Sequence, residues 1–300
     1  MRFAKGHGTG NDFVILIDPA GDQRLSADLA ARLCDRRAGI GADGVLRAVR
    51  TEMLVGGPGS AGTGSRAAAA PDGSSPAPSA DPEWFMDYRN SDGSTAEMCG
   101  NGIRVFARYL AGRGLVSGPA FTVATRSGYR RVRLEEDGDV TAEMGAVTVL
   151  GPGRAVVGGP AGLACEGLRV SVGNPHLACL VDAPLAGFDL TGAPLLDPAQ
   201  FPEGGNVELV RVTGPGTAQM RVHERGSGET RSCGTGAVAA AAAAADAGGQ
   251  DHGSWQVSVP GGQLTVMLES GAGWLRGPAV IVAEGELDDA WLAAASAAGR

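Results

Sequence analysis

Met98-Cys99-Gly100-Asn101-Gly102 runs into the apolar stretch 103–110, and Ser232-Cys233-Gly234-Thr235-Gly236 runs into the alanine-rich stretch 237–247. Each stretch puts a cysteine on a glycine-rich turn at the point where a helix begins. A helix N-terminus carries N–H groups without intrahelical partners and the positive end of the helix dipole. That setting favours thiolate over thiol and can hold a carboxylate. Two such units in one chain can present two thiols to opposite faces of one bound acid.

Around these units the chain reads as two comparable halves. Gly10-Asn11 precedes the apolar strand 13–17, and Gly173-Asn174 precedes the strand 177–181. Several strands and then a cysteine helix start follow in each half. Asn174 and Cys233 lie 59 positions apart, whereas Asn11 and Cys99 lie 88 apart. The low-complexity stretch 56–82 supplies 27 residues of the difference. It consists mainly of Gly, Pro, Ser and Ala. Such a composition buries too little apolar surface to offset the entropy of ordering, so it reads as a mobile surface insertion in one copy of an internal duplication.

Other elements follow from pattern. Strands are expected at 2–5, 45–49, 84–89, 121–125, 129–135, 140–144, 168–172, 207–212, 218–222, 255–259, 263–268 and 279–283. Ser26 caps a helix over 27–37, with Leu29 and Leu33 on one face. The Gly/Pro-rich passage 151–162 reads as a domain crossing, and 287–298 as a short terminal helix.

Composition narrows the function. The 300 residues, 43% of them hydrophobic, suffice for one large or two medium domains. A net charge of −8 argues against nucleic acid or an anionic membrane as partner. No apolar run approaches membrane-spanning length, and the polar N-terminus is unlike a signal peptide. Five cysteines, odd in number and irregular in spacing, suit the reducing cytoplasm better than a disulfide framework. No His/Cys cluster has zinc spacing, so no metal is expected. Lys5 is the only lysine, which leaves pyridoxal phosphate a single possible anchor.

The chemistry centres on Cys99 and Cys233. A buried cysteine also suits a tight helix start as a mere packing residue. Two in the same Cys-Gly-x-Gly setting favour a reactive pair. Cys34, Cys165 and Cys179 lack that setting and read as packing residues. Two thiols on one substrate invert a carbon: one removes a proton as thiolate, and the other delivers a proton to the opposite face. The carbon must be acidic, hence alpha to a carboxylate, and helix N–H groups stabilise the charge that develops there. Gly234-Thr235-Gly236 also fits a dinucleotide fingerprint loosely, but no buried strand precedes it. A duplicated module that binds a diacid without turning it over is a further reading, although binding alone needs no thiol pair.

The motifs together resemble the diaminopimelate epimerases. They are Gly8-Thr-Gly-Asn-Asp-Phe13, Gly39-Ile-Gly-Ala-Asp-Gly44, Asn90-Ser-Asp-Gly-Ser94, Met98-Cys-Gly-Asn-Gly-Ile-Arg104, Gly173-Asn-Pro-His176 and Glu224-Arg-Gly-Ser-Gly-Glu-Thr-Arg-Ser-Cys-Gly-Thr-Gly236. The likeness spans about residues 3–285 without 56–82. The related proline racemases usually carry His where Asn101 stands.

The resemblance implies an α+β fold of two similar domains, each a mostly antiparallel, barrel-like sheet wrapped around a central helix. The active site would lie in the cleft between them. The domains would comprise 1–145 with 279–300, and 146–278. The implied reaction is cofactor-independent interconversion of LL- and meso-diaminopimelate, in lysine and peptidoglycan-precursor biosynthesis, with Cys99 and Cys233 as the acid–base pair. The N–H groups of Gly100, Asn101, Gly234 and Thr235 would hold the reacting carboxylate. Asn11, Asn90, Asn174, Asn206 and Arg225 would bind the far end of this small diamino diacid, and Glu224 its far ammonium. His176 would be a support or a structural histidine. Homodimers are common in the family.

Overall fold

A computed structural model describes residues 1–54, 82–158, 162–269 and 271–297. Among these residues the chain forms two compact units: the first from 1–54, 82–142 and 278–297, the second from 143–277.

In the first unit the chain runs β1 (Arg2–Gly8), β2 (Asn11–Ile17), α1 (Ala27–Cys34), β3 (Gly44–Arg50), β4 (Trp84–Asn90), α2 (Gly100–Gly112), β5 (Ala120–Thr125), β6 (Gly128–Leu134) and β7 (Asp139–Ala146). The second unit holds β8 (Thr148–Val157), β9 (Leu163–Ser171), β10 (Pro175–Leu180), β11 (Leu195–Leu196), β12 (Asn206–Gly214), β13 (Thr217–Glu224), β14 (Gly228–Thr230), α3 (Gly234–Ala247), β15 (Gly253–Val259), β16 (Gly262–Glu269) and β17 (Ala272–Pro278). The chain then returns to the first unit as β18 (Val280–Glu286) and α4 (Asp289–Ala297).

Strand pairing repeats between the units. In the first, β18–β1 and β1–β2 are antiparallel, β2–β3 parallel, β3–β4 antiparallel, β4–β5 parallel, and β5–β6 and β6–β7 antiparallel. In the second, β8–β9–β10–β12–β13–β15–β16–β17 follows the same succession of directions. The parallel steps need crossovers, and α2 and α3 make the equivalent ones between β4 and β5 and between β13 and β15. The duplication suggested by motif spacing is thus a duplication of topology.

Each crossover helix is the core of its unit. α2 packs against β1, β2, β3, β4, β6 and β18. Ile103, Val105, Phe106, Ala107 and Leu110 are fully buried among Phe13, Ile15, Leu46, Trp84 and Val123. α3 packs against β9, β10, β12, β13, β15 and β16, and every residue from Ala237 to Ala245 is buried. A helix that is apolar on all sides lacks a solvent face, and alanine keeps it thin enough for strands to close around it. α1 and α4 pack on the outside of the first unit, where Leu29 and Leu33 join Val14, Leu16 and Val45. Ser26 caps α1 through Leu29 N at 3.1 Å, a bond worth about 1 kcal/mol.

Three expectations change. The passage 151–157 is the strand β8 rather than a crossing. Pro152 is tolerated there because β9 pairs along one side, whereas β11 meets the other only at Ala155 and Val156. α1 stops at Cys34, three residues before the expected end, where Asp35 takes over as C-cap. β17 was not anticipated, because two glycines and a proline mask its apolar residues Trp274 and Leu275.

The stretch 56–82 lies outside the described residues except for Pro82, which is buried. Its flanks are informative. Arg50 pairs with Trp84 at the joined ends of β3 and β4, and Thr51 N donates to Glu83 O at 3.0 Å. The chain therefore leaves and re-enters the sheet at one place, where a short hairpin loop suffices. Replacing 56–81 with a short Gly/Ser turn is expected to leave the melting temperature and turnover unchanged. Loss of either in a thermal melt or activity assay would mean that the segment packs on the core or the site.

Burial also sets an alkaline limit. It pushes the Cys34 thiol from its ordinary 9.0 to about 12, and the thiols of Cys165, Cys179 and Cys233 also upward. The unfolded chain ionises these groups at lower pH than the native one. The native state then holds more protons, so stability falls as pH rises through that window. Denaturant midpoints should be lower at about pH 10.5 than at about pH 8, and Cys34→Ala should lessen the drop.

Candidate active site

Cys99 and Cys233 are the N-caps of α2 and α3. Their backbones are extended, with φ/ψ of −137°/120° and −122°/120°. Each sulfur accepts the N–H three residues on, from Gly102 at 3.3 Å and from Gly236 at 3.4 Å. The carbonyls of both cysteines start the helix ladder, taken by Ile103 N at 2.8 Å and Ala237 N at 2.9 Å. The N–H groups of Gly100, Asn101, Gly234 and Thr235 therefore stand in first turns, where helices bind anions. The second glycine of each motif is a matter of space. A Cβ on Gly102 would lie 3.2 Å from Cys99 Cβ, and one on Gly236 only 2.7 Å from Glu208 Oε1.

Around Cys99, the turn between β1 and β2 supplies Asn11. Its Oδ1 faces Cys99 Sγ at 3.7 Å and Asn101 Nδ2 at 3.3 Å, while its Nδ2 donates to Asp43 at 2.8 Å. The structure thus puts Asn11 beside the Cys99 thiol. Asp43 also accepts Asp12 N at 3.0 Å and pairs with Arg36 at 2.7 Å. Lys5 pairs with Asp12 at 2.6 Å and donates to the Gly41 carbonyl. Lys5 and Arg36 hold the Asp12 carboxyl well below the usual range, although burial opposes them. Asn90, at the end of β4, is paired with Gly44, the residue after Asp43. Its amide donates to Ser94 Oγ at 3.0 Å and its backbone closes the 90–94 turn.

Around Cys233 the neighbours are acidic. Glu224, at the end of β13, accepts a hydrogen bond from Thr230 Oγ. Burial raises the Glu224 carboxyl above its ordinary value, with the neighbouring Thr230 and Cys233 opposing. Burial also raises the Cys233 thiol, well above its ordinary value, and the nearby Glu224 and Glu208 carboxyls add to it. Thr235 Oγ lies 3.5 Å from Cys233 Sγ and accepts Asn174 Nδ2 at 3.4 Å. Asn174 Oδ1 meets His176 Nε2 at 2.9 Å, and His176 Nδ1 meets Glu208 Oε1 at 2.7 Å, with both of these residues fully buried. His176 is thus a support that orients Asn174. Asn206 donates to Pro175 O at 3.1 Å and accepts Arg225 N at 3.0 Å, fixing the Glu224–Arg225 corner. The Arg225 guanidinium is half exposed and bonds the Glu203 carbonyl at 3.2 Å.

The structure therefore gathers Asn11, Gly100 and Asn101 at Cys99, and Asn174, Glu224, Gly234 and Thr235 at Cys233. Strand register relates the remaining positions. Asn90, the last residue of β4, pairs with Gly44, the first of β3, and Glu224 is the last residue of β13, next to His223, which pairs with Val207 on β12. Asn90 and Glu224 thus occupy equivalent corners of the two units. Sequence reading passed over Glu208, although a single acid inside the apolar run Val207-Glu208-Leu209-Val210 is the signal of a buried, paired carboxyl.

A model of the diaminopimelate epimerase family matches residues 3–150 and 168–287. The chain is 57% identical to the diaminopimelate epimerase of Thermobifida fusca, over 96% of this chain and 98% of that one. It is 50% identical to the same enzyme of Rhodococcus jostii, over 97% and 98%. Among solved structures, a probable proline racemase from Agrobacterium radiobacter aligns with TM-score 0.64 at 14% identity, over 96% of this chain and 93% of that one. A hydroxyproline epimerase from Agrobacterium vitis aligns with TM-score 0.63 at 14% identity, over 99% and 98%. These two show a shared fold.

Proposed function

The chain belongs to the diaminopimelate epimerase family, and from that premise we propose that its two cysteine caps invert the α-carbon of diaminopimelate, interconverting the LL and meso isomers. The observation that carries this reading is the twin cap: two thiols, each bonded to the third N–H of its own helix, each heading a first turn that can take a carboxylate.

The α-carboxylate sits on the N–H groups of Gly100, Asn101, Gly234 and Thr235. One cysteine, as thiolate, takes the α-hydrogen as a proton and becomes a thiol. The other cysteine, as thiol, gives its proton to the opposite face and becomes a thiolate. The number of protons on the pair is unchanged, and the helix N–H groups stabilise the extra charge on the carboxylate in between. Arg225 binds the far carboxylate through its forked donors. Asn11, Asn90, Asn174 and Asn206 orient the chain, and Glu224 takes the far ammonium. A cytoplasmic setting and a homodimer belong to the same proposal. The edge strand β18 supports the dimer, because it pairs with β1 and exposes Val280 and Val282.

Incubation with each diaminopimelate isomer in deuterated water, with nothing else added, is the test. Both isomers should approach one equilibrium mixture, with deuterium at the inverted α-carbon. Absence of exchange, or exchange only after pyridoxal phosphate is supplied, would overturn the reading.

A further inference from the structure

Thr235 enters the mechanism above only through its backbone N–H, yet its hydroxyl lies 3.5 Å from the sulfur of Cys233. Thr235 Oγ also accepts Asn174 Nδ2 at 3.4 Å. A threonine hydroxyl has one hydrogen to give and lone pairs that receive. With the amide hydrogen of Asn174 received on one side, the hydroxyl hydrogen is left for the sulfur. This depends on which way round the Asn174 amide is held, and a buried pair behind it decides that.

Asn174 Oδ1 faces His176 Nε2 at 2.9 Å, and His176 Nδ1 faces Glu208 Oε1 at 2.7 Å. His176 and Glu208 have no solvent exposure, and among the described residues His176 is the only cationic partner of Glu208. Each ring nitrogen faces an oxygen, so one proton lies on Nε2 and a second between Nδ1 and Oε1. On whichever of those two atoms the second proton rests, the pair is neutral overall. Turning the Asn174 amide round would put Nδ2 on the ring and strip the proton from Nε2. The pair would then carry a bare negative charge in the interior, near the Glu224 carboxyl. Burying an unpaired charge is costly, so the amide keeps its oxygen on the ring and its Nδ2 on Thr235. The second hydrogen of Nδ2 stays available to substrate.

The sulfur of Cys233 therefore receives two hydrogen bonds, from Gly236 N at 3.4 Å and from the Thr235 hydroxyl. The other cap differs. Asn101 stands where Thr235 stands, two residues after its cysteine, and its Nδ2 donates to Asn11 Oδ1 at 3.3 Å. That oxygen faces the Cys99 sulfur at 3.7 Å. Hydrogen bonds donated to a thiolate favour it. The charged groups near Cys233 work the other way: Glu224 on β13 and Glu208 on β12, with His176 on β10 behind Glu208. Arg231, two residues before Cys233, is turned away onto the Pro260 carbonyl at 3.3 Å.

We propose that the Thr235 hydroxyl is a catalytic hydrogen-bond donor that stabilises the Cys233 thiolate, and that Glu208, His176 and Asn174 are positioning residues that aim it. This rests on the two-thiol reading above. When Cys233 gives its proton to the α-carbon, its sulfur takes the negative charge with the Thr235 O–H already directed at it. When Cys233 removes the proton instead, the same bond holds the thiolate that does so.

The test is iodoacetamide labelling of the substrate-free enzyme across pH, with peptide mass mapping. T235V removes the hydroxyl and keeps the shape of the side chain, whereas T235S keeps the hydroxyl. T235V should raise the labelling midpoint of Cys233 by about one pH unit and leave that of Cys99 in place. It should lower kcat about tenfold with KM little changed, because the Thr235 N–H that holds the carboxylate is retained. T235S should match the wild type in all three. N174A should also raise the Cys233 midpoint, and should add nothing in the T235V background. A Cys233 midpoint unmoved in T235V, a T235S enzyme as impaired as T235V, or N174A and T235V shifts that add, overturns the proposal. If T235V does not fold, T235A takes its place. Failure of the epimerase reading would appear separately, as absence of deuterium exchange by the wild type, since the labelling needs no substrate.

Discussion

Replacing either Cys99 or Cys233 with alanine is expected to lower epimerisation by about a thousandfold or more, since each substitution removes one of two proton-transfer groups. The fold should survive, because alanine keeps the Cβ that packs at the cap and deletes only the sulfur. The two variants should differ in what remains. Each keeps one thiol, so each should still exchange the α-hydrogen of one stereoisomer with deuterated water, slowly and without inversion. The isomer that exchanges should differ between them, because the two thiols serve opposite faces. The measurement is deuterium content and stereochemistry of recovered diaminopimelate. An alanine variant that inverts at the wild-type rate would remove that cysteine from the mechanism.

Arg225→Ala is expected to reduce kcat/KM by on the order of 3 kcal/mol, about 150-fold, through loss of the far carboxylate's charged partner. The backbone of Arg225 is pinned by Asn206, and its guanidinium is half exposed. It can therefore swing onto a ligand without disturbing the corner that carries Glu224. The wild type should prefer a long diacid and handle proline and alanine poorly. Efficient proline racemisation would place the specificity with the proline racemases, despite Asn101 standing where they usually carry His. Arg225→Lys should recover only part of the loss, because a point charge does not reproduce a forked contact.

Much of this was legible because helix starts are local. Cys-Gly-x-Gly before an apolar run specifies a cap, and both caps formed at Cys99 and Cys233. The corner 224–236 was equally readable, since its charges, glycines and cysteine are contiguous. What sequence reading under-described were residues whose partners are distant in the chain. The resemblance makes Asn11 a substrate ligand, and only the structure shows its amide divided between Asp43 and Cys99. His176 gained a definite task only when Glu208 and Asn174 were seen on either side of its ring.

By itself, the sequence determined the family, the duplication and the two thiols, because each is carried by a short pattern whose meaning does not depend on the rest of the chain. Only the tertiary structure decided that the two copies are electrically unlike. Asn101 and Thr235 occupy the same helical place after equivalent cysteines, and nothing local to either says which groups face it. A fully buried group is governed by the few groups packed against it, because water no longer screens them. Those groups arrive from β2 and the residue before β3 at one cap and from β10, β12 and β13 at the other, and only folding brings them there.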